Sequence, residues 1–405
     1  MALQQYSRLW LTVTVFLVTG AIIQFYQTLE IGSLHKHETM TYPSSVPDND
    51  PSGDPFDLRD LQNNVASHFF AGLFTLMAGD SDATISNKSQ ITGCNSSTCQ
   101  PPSCRCQSNQ HPGNFPLDQV PMMVLLTFDD SVGDHNIHYF KTLTNIGIRS
   151  ANNCPMKMTF FVCGLDTNYT HVRLLHQLGH EIGVHSVTHN PDQLWWSRKA
   201  TAEDYINEFG NQKKNLMNEA GIPESDLRGM RVPYLQAGGD TQMGVMEKLG
   251  LIYDSSYVMK NGEGHQWPFT LDFTSVSEYS GQVFPRGRYP GIWEIPLSMY
   301  KCVQGNKIIE PWMPDGCRLP KSTSAVLEYL RTNFKDRYQS RSPMQIFIHY
   351  TWFTSNSQSF EGLVEFLKEL ARMPDIWFLS LSQHVEWMAS PTPISRLKYF
   401  TPWKC

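Results

Sequence analysis

The sequence predicts an α/β fold in which a parallel sheet is either closed into a barrel or doubly wound. The first observation is the run Val124–Asp130 (VLLTFDD), whose apolar residues are typical of a strand buried on both faces of a parallel sheet. The second is the alternation of strand-like runs with helical patterns from Met122 onward, which favours parallel pairing. The predicted strands are MMVLLTF, MTFFV, EIGV, LRGMRVP, GLIYDS, MQIFIHY and IWFLSL.

Helical patterns lie between these strands. THVRLLHQLG ends on Gly179, and a helix through Ala202–Ala220 is followed by Gly221; glycine is typical of a helix C-terminus. FEGLVEFLKELARM is a third helix, between the last two strands. The segment Gly262–Pro320 breaks the alternation, so it is predicted to be a long insertion.

Composition limits the class of protein. With 405 residues, 40% of them hydrophobic and 17% charged, the chain is globular and has room for one large domain with attachments or for two domains. A formal net charge of −6 does not suit a nucleic-acid-binding protein, so no nucleic acid is expected as a partner.

The N-terminus carries an export segment. Leu9–Phe25 is nearly free of charge and follows Arg8, so residues 1–28 are a signal peptide or an uncleaved signal anchor. We favour the anchor, because Val18-Thr19-Gly20 is a poor cleavage site; it gives a type II membrane protein with an exported body. Residues 29–90 are predicted to be a Pro- and Ser-rich stem with a short helix at Val65–Met77.

Nine cysteines fit an exported protein. Cys94, Cys99, Cys104 and Cys106 form a cluster that is either a zinc knot or a set of disulfides. Sequons at Asn87, Asn95 and Asn168 agree with export through the secretory pathway, which favours disulfides. The odd cysteine is predicted to be Cys163, whose FFVCG setting indicates a buried strand.

The chemistry is predicted at the strand that ends on Asp129 and Asp130. Adjacent carboxylates repel each other, so a cation, a shared proton or an arginine has to accompany them. Two histidine pairs have i, i+4 spacing, but His176/His180 lies at the wrong end of the next strand. His185/His189 follows the carboxyl end of that strand, at the same sheet edge as the aspartates, where α/β folds place their sites.

Two imidazoles and one carboxylate form a divalent metal site with open positions, and the same set also suits non-haem iron. The second aspartate then remains as a base. Arg231, in the run RVPY, is a candidate to clamp that base. Asp254 and His349 each follow or end a strand, and we expect them to pair as a carboxylate and an imidazole, which suits a general acid.

Five ordered motifs, TFDD, HSVTH, RVPY, YDSS and IFIH, resemble those of the polysaccharide deacetylases of the NodB-homology type, carbohydrate esterase family four. The resemblance covers Cys94–Cys405 and is greatest to animal chitin deacetylases, through TFDDS, CNSSTCQPPSCRC and WEIPLSMYKC. It implies a distorted (β/α) TIM-like barrel over residues 91–405. It also implies Zn²⁺ or another divalent ion such as Co²⁺, and chitin or N-acetylglucosamine oligomers as substrate.

The resemblance also implies roles for single residues. Asp130, His185 and His189 would be the metal ligands, and Asp129 the catalytic base, oriented by Arg231. The backbone N–H of Tyr234 would help to hold the oxyanion, and Asp254 would tune the general acid His349. Among the cysteines, Cys302 would pair with Cys317, and Cys405 with the Cys94–Cys106 cluster.

Two further functions remain as hypotheses. A catalytically silent carbohydrate-binding or matrix-organising homologue would keep the fold, although every expected polar residue is present. An iron oxygenase would use the same three ligands, but the barrel-like alternation, the second aspartate and the arginine argue against it. The expected activity is therefore metal-dependent release of acetate from N-acetylglucosamine residues at the cell surface or outside the cell.

Overall fold

The structure is a computed structural model that describes residues 93–259, 265–274 and 280–405. The predicted export segment Leu9–Phe25, the stem, the helix Val65–Met77 and the sequon Asn87 all lie outside these residues. In the part of the chain that the structure describes, no helix combines the length and the apolar character needed to cross a membrane.

A mixed sheet of nine strands organises the chain. Its ladders follow the order β12-β1-β2-β3-β4-β5-β8-β7, and β13 pairs with the first half of β1. All of these pairings are parallel except β7 with β8. The strands are β1 Met122–Asp130, β2 Met158–Val162, β3 Glu181–Val184, β4 Gly229–Met230, β5 Tyr253–Asp254, β6 Val258–Met259, β7 Phe269–Leu271, β8 Tyr289–Glu294, β9 Leu297–Ser298, β10 Cys302–Gln304, β11 Lys307–Ile309, β12 Met344–Ile348 and β13 Ile376–Phe378.

Helices connect the strands, as parallel pairing requires. A π-helical turn, Ile206–Gly210, joins α4 to α5, so that the predicted helix through Ala202–Ala220 is formed of three pieces. The helices are α1 Ile137–Asn145, α2 Tyr169–Gln177, α3 Gln193–Arg198, α4 Ala202–Tyr205, α5 Asn211–Asn218, α6 Gly239–Leu249, α7 Thr323–Ser340, α8 Thr351–Ser355, α9 Ser359–Leu370 and α10 Leu381–Ala389.

Strand β1 lies between two hydrophobic clusters. Val124, Leu126 and Phe128 face one of them, and Met123 and Leu125 face the other. Burial on both faces explains why β1 is apolar without alternation. The register sets Phe128 beside Ile348 of β12 and beside Phe160 of β2, so the carboxyl ends of these strands meet at one edge.

The predicted α/β class is confirmed, and each predicted strand contains an observed one. The ladders form an open path: the described residues contain no ladder that joins β12 at one end to β7 at the other. The predicted insertion supplies β7 to β11, of which β10 and β11 form a separate hairpin.

Four disulfides cross-link the described chain. Cys302–Cys317 is confirmed, and Cys163 is a buried free thiol as predicted. The cluster is made of disulfides, because Cys94 pairs with Cys106 and Cys99 with Cys104.

The predicted link from Cys405 to that cluster is wrong, since Cys405 pairs with Cys154. The C-terminal segment packs beside the loop that precedes β2, where the side-chain amide of Asn152 donates to the carbonyl of Trp403 at 2.7 Å. This packing brings the last cysteine to Cys154 and leaves the cluster closed on itself.

Candidate metal centre and active site

Three of the predicted ligands converge at the carboxyl edge of the sheet. Asp130 is the last residue of β1, and His185 follows β3 directly. The Nε2 atoms of His185 and His189 lie 3.6 and 3.1 Å from Oδ1 of Asp130. One nitrogen or oxygen from each of the three residues lies within 4.8 Å of the others.

The donor atoms fit a divalent cation. Nδ1 of His185 lies 2.7 Å from the carbonyl oxygen of Arg231, so Nδ1 carries the proton and donates it, and the Nε2 lone pair points at Asp130. Oδ1 of Asp130 is buried and meets no donor in hydrogen-bond geometry among the described residues. Convergent lone pairs without donors repel one another, and a metal ion at their centre removes that repulsion.

The pKa of the Asp130 carboxyl also fits a metal ligand. Burial alone raises the pKa of this carboxyl, but its contacts with His185 and His189 and the charge of His349 outweigh burial and lower the pKa below its usual value. A lowered pKa favours the anionic form of Asp130 at neutral pH, the form that a metal ligand requires.

Asp129 has a different partner from its neighbour. Its Oδ1 accepts from Nη1 of Arg231 at 2.7 Å, and both side chains are buried. Three further guanidinium donors are used: Nη1 donates to Thr127 Oγ1, Nε to the carbonyl of Ser255 and Nη2 to Ser255 Oγ. A guanidinium held by four hydrogen bonds keeps the carboxylate in one orientation.

His349 lies across the centre from Asp129 and has an unpredicted partner. Its Nδ1 is 2.7 Å from Oδ2 of Asp315, and the same oxygen accepts from the His349 backbone N–H at 2.8 Å. Its Nε2 faces Oδ2 of Asp130 at 3.8 Å. Burial lowers the pKa of His349, but the charges of Asp315, Asp130 and Asp129 raise it to about 10.

The structure does not make the predicted pair of Asp254 with His349. Asp254 is fully buried and accepts from the hydroxyl of Ser256 at 2.6 Å, and its register neighbour on β8 is Glu294. The place predicted for Asp254 is taken by Asp315, in a loop between β11 and α7. The carboxylate–imidazole pair exists, but its carboxylate comes from the insertion.

A cavity of about 670 Å³ opens beside Asp130 and His349. Tyr234 lines it and packs its ring against His189 at a centroid distance of 4.7 Å. The opposite wall comes from the insertion, at Pro311, Trp312 and Met313. The amides of Gln193 and Gln236 add hydrogen-bonding groups, so the cavity offers both aromatic and polar surface to a ligand.

The backbone of the site is strained. Positive φ is rare for residues other than glycine and concentrates at functional sites. Five of the eight such residues in the described chain are at this edge: Asp130, Ser186, His189, Tyr234 and Leu235. The structure thus holds Asp130, His189 and the Tyr234 turn in backbone conformations that an unconstrained chain rarely adopts.

Asp315 and Trp312 were not predicted from the sequence. The sequence signal for them was the pair Cys302 and Cys317, because the disulfide between these cysteines closes the segment that contains Asp315 and Trp312. The pair His176/His180 is elsewhere, as expected: His176 contacts Asp226, and His180 is buried against Thr144.

Comparison with known proteins gives the family. The sequence model of the polysaccharide deacetylase family matches residues 118–253. Chitin deacetylase 8 of Bombyx mori is 30% identical over 313 residues, which are 76% of this chain and 81% of the relative. The chain belongs to the polysaccharide deacetylase family.

A second curated relative and a solved structure also match this polysaccharide deacetylase. Chitin deacetylase 1 of Bombyx mori is 31% identical over 323 residues, which are 77% of this chain. The chain spans 59% of the length of that relative. A solved chitin deacetylase from the fungus Colletotrichum lindemuthianum is 16% identical, covers 67% of this chain and 90% of its own, and has a TM-score of 0.39.

The family match divides the site of this polysaccharide deacetylase. Residues 118–253 include Asp129, Asp130, His185, His189, Arg231 and Tyr234. Asp315, Trp312 and His349 lie beyond it, so three of these nine residues come from the C-terminal part of the chain.

Proposed function

We propose that this protein hydrolyses N-acetyl groups of N-acetylglucosamine residues in chitin or chitin oligosaccharides and releases acetate. The proposal rests above all on one observation: a clamped carboxylate, Asp129, and a carboxylate-paired imidazole, His349, flank the Asp130–His185–His189 centre. Hydrolysis of an amide requires a base for water, polarisation of the carbonyl and an acid for the amine, and this arrangement supplies all three.

Asp130, His185 and His189 are the residues that would hold the metal, for which Zn²⁺ is our proposal and Co²⁺ the alternative. When bound, the ion supplies Lewis-acid polarisation of the acetamide carbonyl and lowers the pKa of a water molecule. The disulfides of the catalytic domain further support function in an oxidising compartment, outside the cell or on an exported domain.

Asp129 is proposed as the general base. It takes a proton from the attacking water while Arg231 keeps the carboxylate aimed at the centre. The water oxygen forms a bond to the carbonyl carbon, and the backbone N–H of Tyr234 is proposed to stabilise the developing oxyanion.

His349 is proposed as the general acid. It holds a proton on each ring nitrogen, because its pKa lies near 10, and Asp315 fixes Nδ1 so that Nε2 faces the centre. As the C–N bond breaks, Nε2 gives its proton to the departing nitrogen, which leaves as the amine of a glucosamine unit while acetate forms. Asp315 then stabilises the orientation of the imidazole for the next cycle.

The test is acetate release from N-acetylglucosamine oligomers by the purified protein, with and without a chelator. We expect release that the chelator stops and Zn²⁺ restores. Asp129→Asn should retain the metal and lower kcat by roughly 10²- to 10⁴-fold, because only the base is lost. Absence of release from any oligomer by protein with one bound metal per chain would contradict the proposal and favour the binding-only homologue.

A further inference from the structure

Asp254 and Glu294 form a buried acid pair that the chemistry above does not use. In the described chain they are the two carboxyl residues with no exposed surface. They are register partners on the parallel strands β5 and β8, and their carboxyl groups are in hydrogen-bond contact. Both side-chain oxygens of Glu294 are buried, and the backbone N–H of Tyr257 approaches this carboxyl as a hydrogen-bond donor.

This geometry requires a proton between the two groups. Two buried carboxylates in contact cannot both be ionised, because their repulsion adds to the cost of removing each charge from water. Burial raises the pKa of Asp254 to about 6, and burial together with the charge of Asp254 raises the pKa of Glu294 well above its usual value. Because the pKa of Glu294 is raised further by the charge of Asp254, a proton on Glu294 that is donated to Asp254 relieves the repulsion between them.

The pair supports the turn that carries Arg231 and Tyr234. Oδ1 of Asp254 accepts from Ser256 Oγ at 2.6 Å, and Ser256 Oγ accepts from the backbone N–H of Val232 at 2.9 Å. This chain of bonds runs from Glu294 through Asp254 and Ser256 to the residue after Arg231. A shift of Asp254 is thereby transmitted to the residues that orient the base and line the cavity.

Ser255 and Ile295, the residues that follow Asp254 and Glu294, hold Arg231 in place, Ser255 directly and Ile295 through Ser255. Ser255 accepts from Arg231 through both its carbonyl and its hydroxyl, and the Ser255 hydroxyl donates to the carbonyl of Ile295, next to Glu294. Arg231 thus lies between Asp129 on one side and the segment beside the acid pair on the other. Ser255 and Ser256, which follow β5, therefore bond to Arg231 and Val232, and Ile295, which follows β8, bonds to Ser255.

We propose that Asp254 and Glu294 share one proton and act as positioning residues for the Arg231–Tyr234 turn, a role that rests on the proposed deacetylase function. With the proton, the pair carries one negative charge and Asp254 stays in place for Ser256. Without it, two charges repel, and the pair competes with Asp129 for the single guanidinium of Arg231.

Two titratable groups face the pair. Arg231 is the cation near both carboxyls. Tyr205 from α4 faces Asp254, and burial raises the pKa of its phenol, so it stays neutral. The proton shared by Asp254 and Glu294 is therefore the one that changes the charge of this cluster between neutral and alkaline pH.

The experiment compares the full chain with Glu294→Gln and Glu294→Ala. The amide of Glu294→Gln still donates to Asp254 and cannot ionise, so kcat/KM at pH 7 should stay within about threefold of wild type. Glu294→Ala leaves Asp254 with Ser256 as its donor but removes the contact with residue 294, and kcat/KM should fall by roughly 10- to 100-fold as the turn shifts. Between neutral pH and the range near pH 10 in which His349 loses its proton in both proteins, activity of the wild type should decline where that of Glu294→Gln does not.

A second readout is independent of activity. The infrared spectrum of the wild type should contain the C=O stretch of a buried protonated carboxyl, and Glu294→Gln should lack it. Absence of that band from the wild type would show that no proton is shared. Equal losses of kcat/KM in Glu294→Gln and Glu294→Ala, at equal metal content, would show that the hydrogen bond does not position the turn. A wild type without deacetylase activity overturns the proposed function, while the band still decides whether the proton is shared.

Discussion

Asp129 and Asp130 are adjacent in sequence but belong to separate electrostatic environments. Arg231 neutralises Asp129, and the imidazoles of His185 and His189 surround Asp130. Because the two carboxylates alternate in direction along β1, each can have its own partners without sharing them. This division fits the two proposed roles, Asp129 as a base and Asp130 as a metal ligand.

The pairing of His349 with Asp315 can be tested by Asp315→Asn. The amide keeps the shape of the side chain but removes the charge that stabilises the imidazolium, so kcat should fall by roughly 10²-fold or more with KM little changed. Steady-state kinetics on a chitin oligomer, with metal content measured in parallel, check this. Asp336→Asn, an exposed acid paired with Lys301, is the matched control and should leave kcat unaltered. Equal kinetics of Asp315→Asn and wild type would rule out this role for Asp315.

Cys163 is expected to be chemically inert in the native protein. Burial, with the charge of Asp130 as a smaller cause, raises the pKa of its thiol to about 12, and its side chain is enclosed. A thiol reagent at pH 8 should therefore label no cysteine before unfolding and one per chain in denaturant. Rapid labelling of the native protein would show that the thiol is accessible.

The inserted segment between Cys302 and Cys317 is the element that completes the site. It contributes the cavity wall at Trp312 and the partner of His349 at Asp315. The disulfide and a short hairpin, β10 with β11, shape this segment, and its turn Pro314–Gly316 packs against β12. The proposed catalytic acid is thus positioned by a cross-linked segment, and the proposed ligands lie at or near strand ends.

Removal of this disulfide should weaken both stability and activity. For a loop of 15 residues, Cys302→Ala/Cys317→Ala should lower the free energy of unfolding by about 3 kcal/mol in the chain-entropy account. The kcat/KM should also fall, because Asp315 and Trp312 lose their fixed positions. Urea unfolding and kinetics measure the two effects. The control Cys99→Ala/Cys104→Ala removes a disulfide in the N-terminal Cys94–Cys106 cluster and should leave kcat/KM unchanged.

The sequence predicts the elements better than the contacts between them. The ends of β1 and β3 can be read from apolar runs that stop at polar residues, so the convergence of Asp130, His185 and His189 follows from parallel strands alone. Asp254 also ends a strand, but a strand end does not reveal which face its side chain takes. Asp315 lies 34 residues before His349 in an irregular loop, where no periodicity reports a contact.

At the scale of the described residues, the sheet has a buried hydrophobic cluster on each face, and a neutral histidine lies beside each cluster. His180 accepts from the backbone of Met158, and His384 lies against Met123. Burial lowers the pKa of each to about 3. In the unfolded chain, these imidazoles have a pKa near 6.5, whereas in the native state they remain neutral at that pH.

Stability should therefore fall as the pH drops below 6.5. The unfolded state then binds more protons than the native state, so the free energy of unfolding rises with pH over this range, and each histidine costs about 1.4 kcal/mol at pH 5.5. His384→Leu should reduce the difference in unfolding free energy between pH 7.5 and 5.5 by about that amount. Chemical denaturation at the two pH values checks this, with the exposed His138→Gln as control. An unchanged difference in His384→Leu would contradict the expectation.

The position of Asp315 on a loop outside the sheet has a consequence for how this family can diversify. A short deletion between Cys302 and Cys317 would leave the three ligands, the base and the arginine intact, because none of them is in that segment. On the proposed function, such a descendant would keep the residues proposed to hold the ion and lose the partner of His349 together with the cavity wall at Trp312. Turnover could then be lost by a single change of loop length, without any substitution at the proposed metal centre.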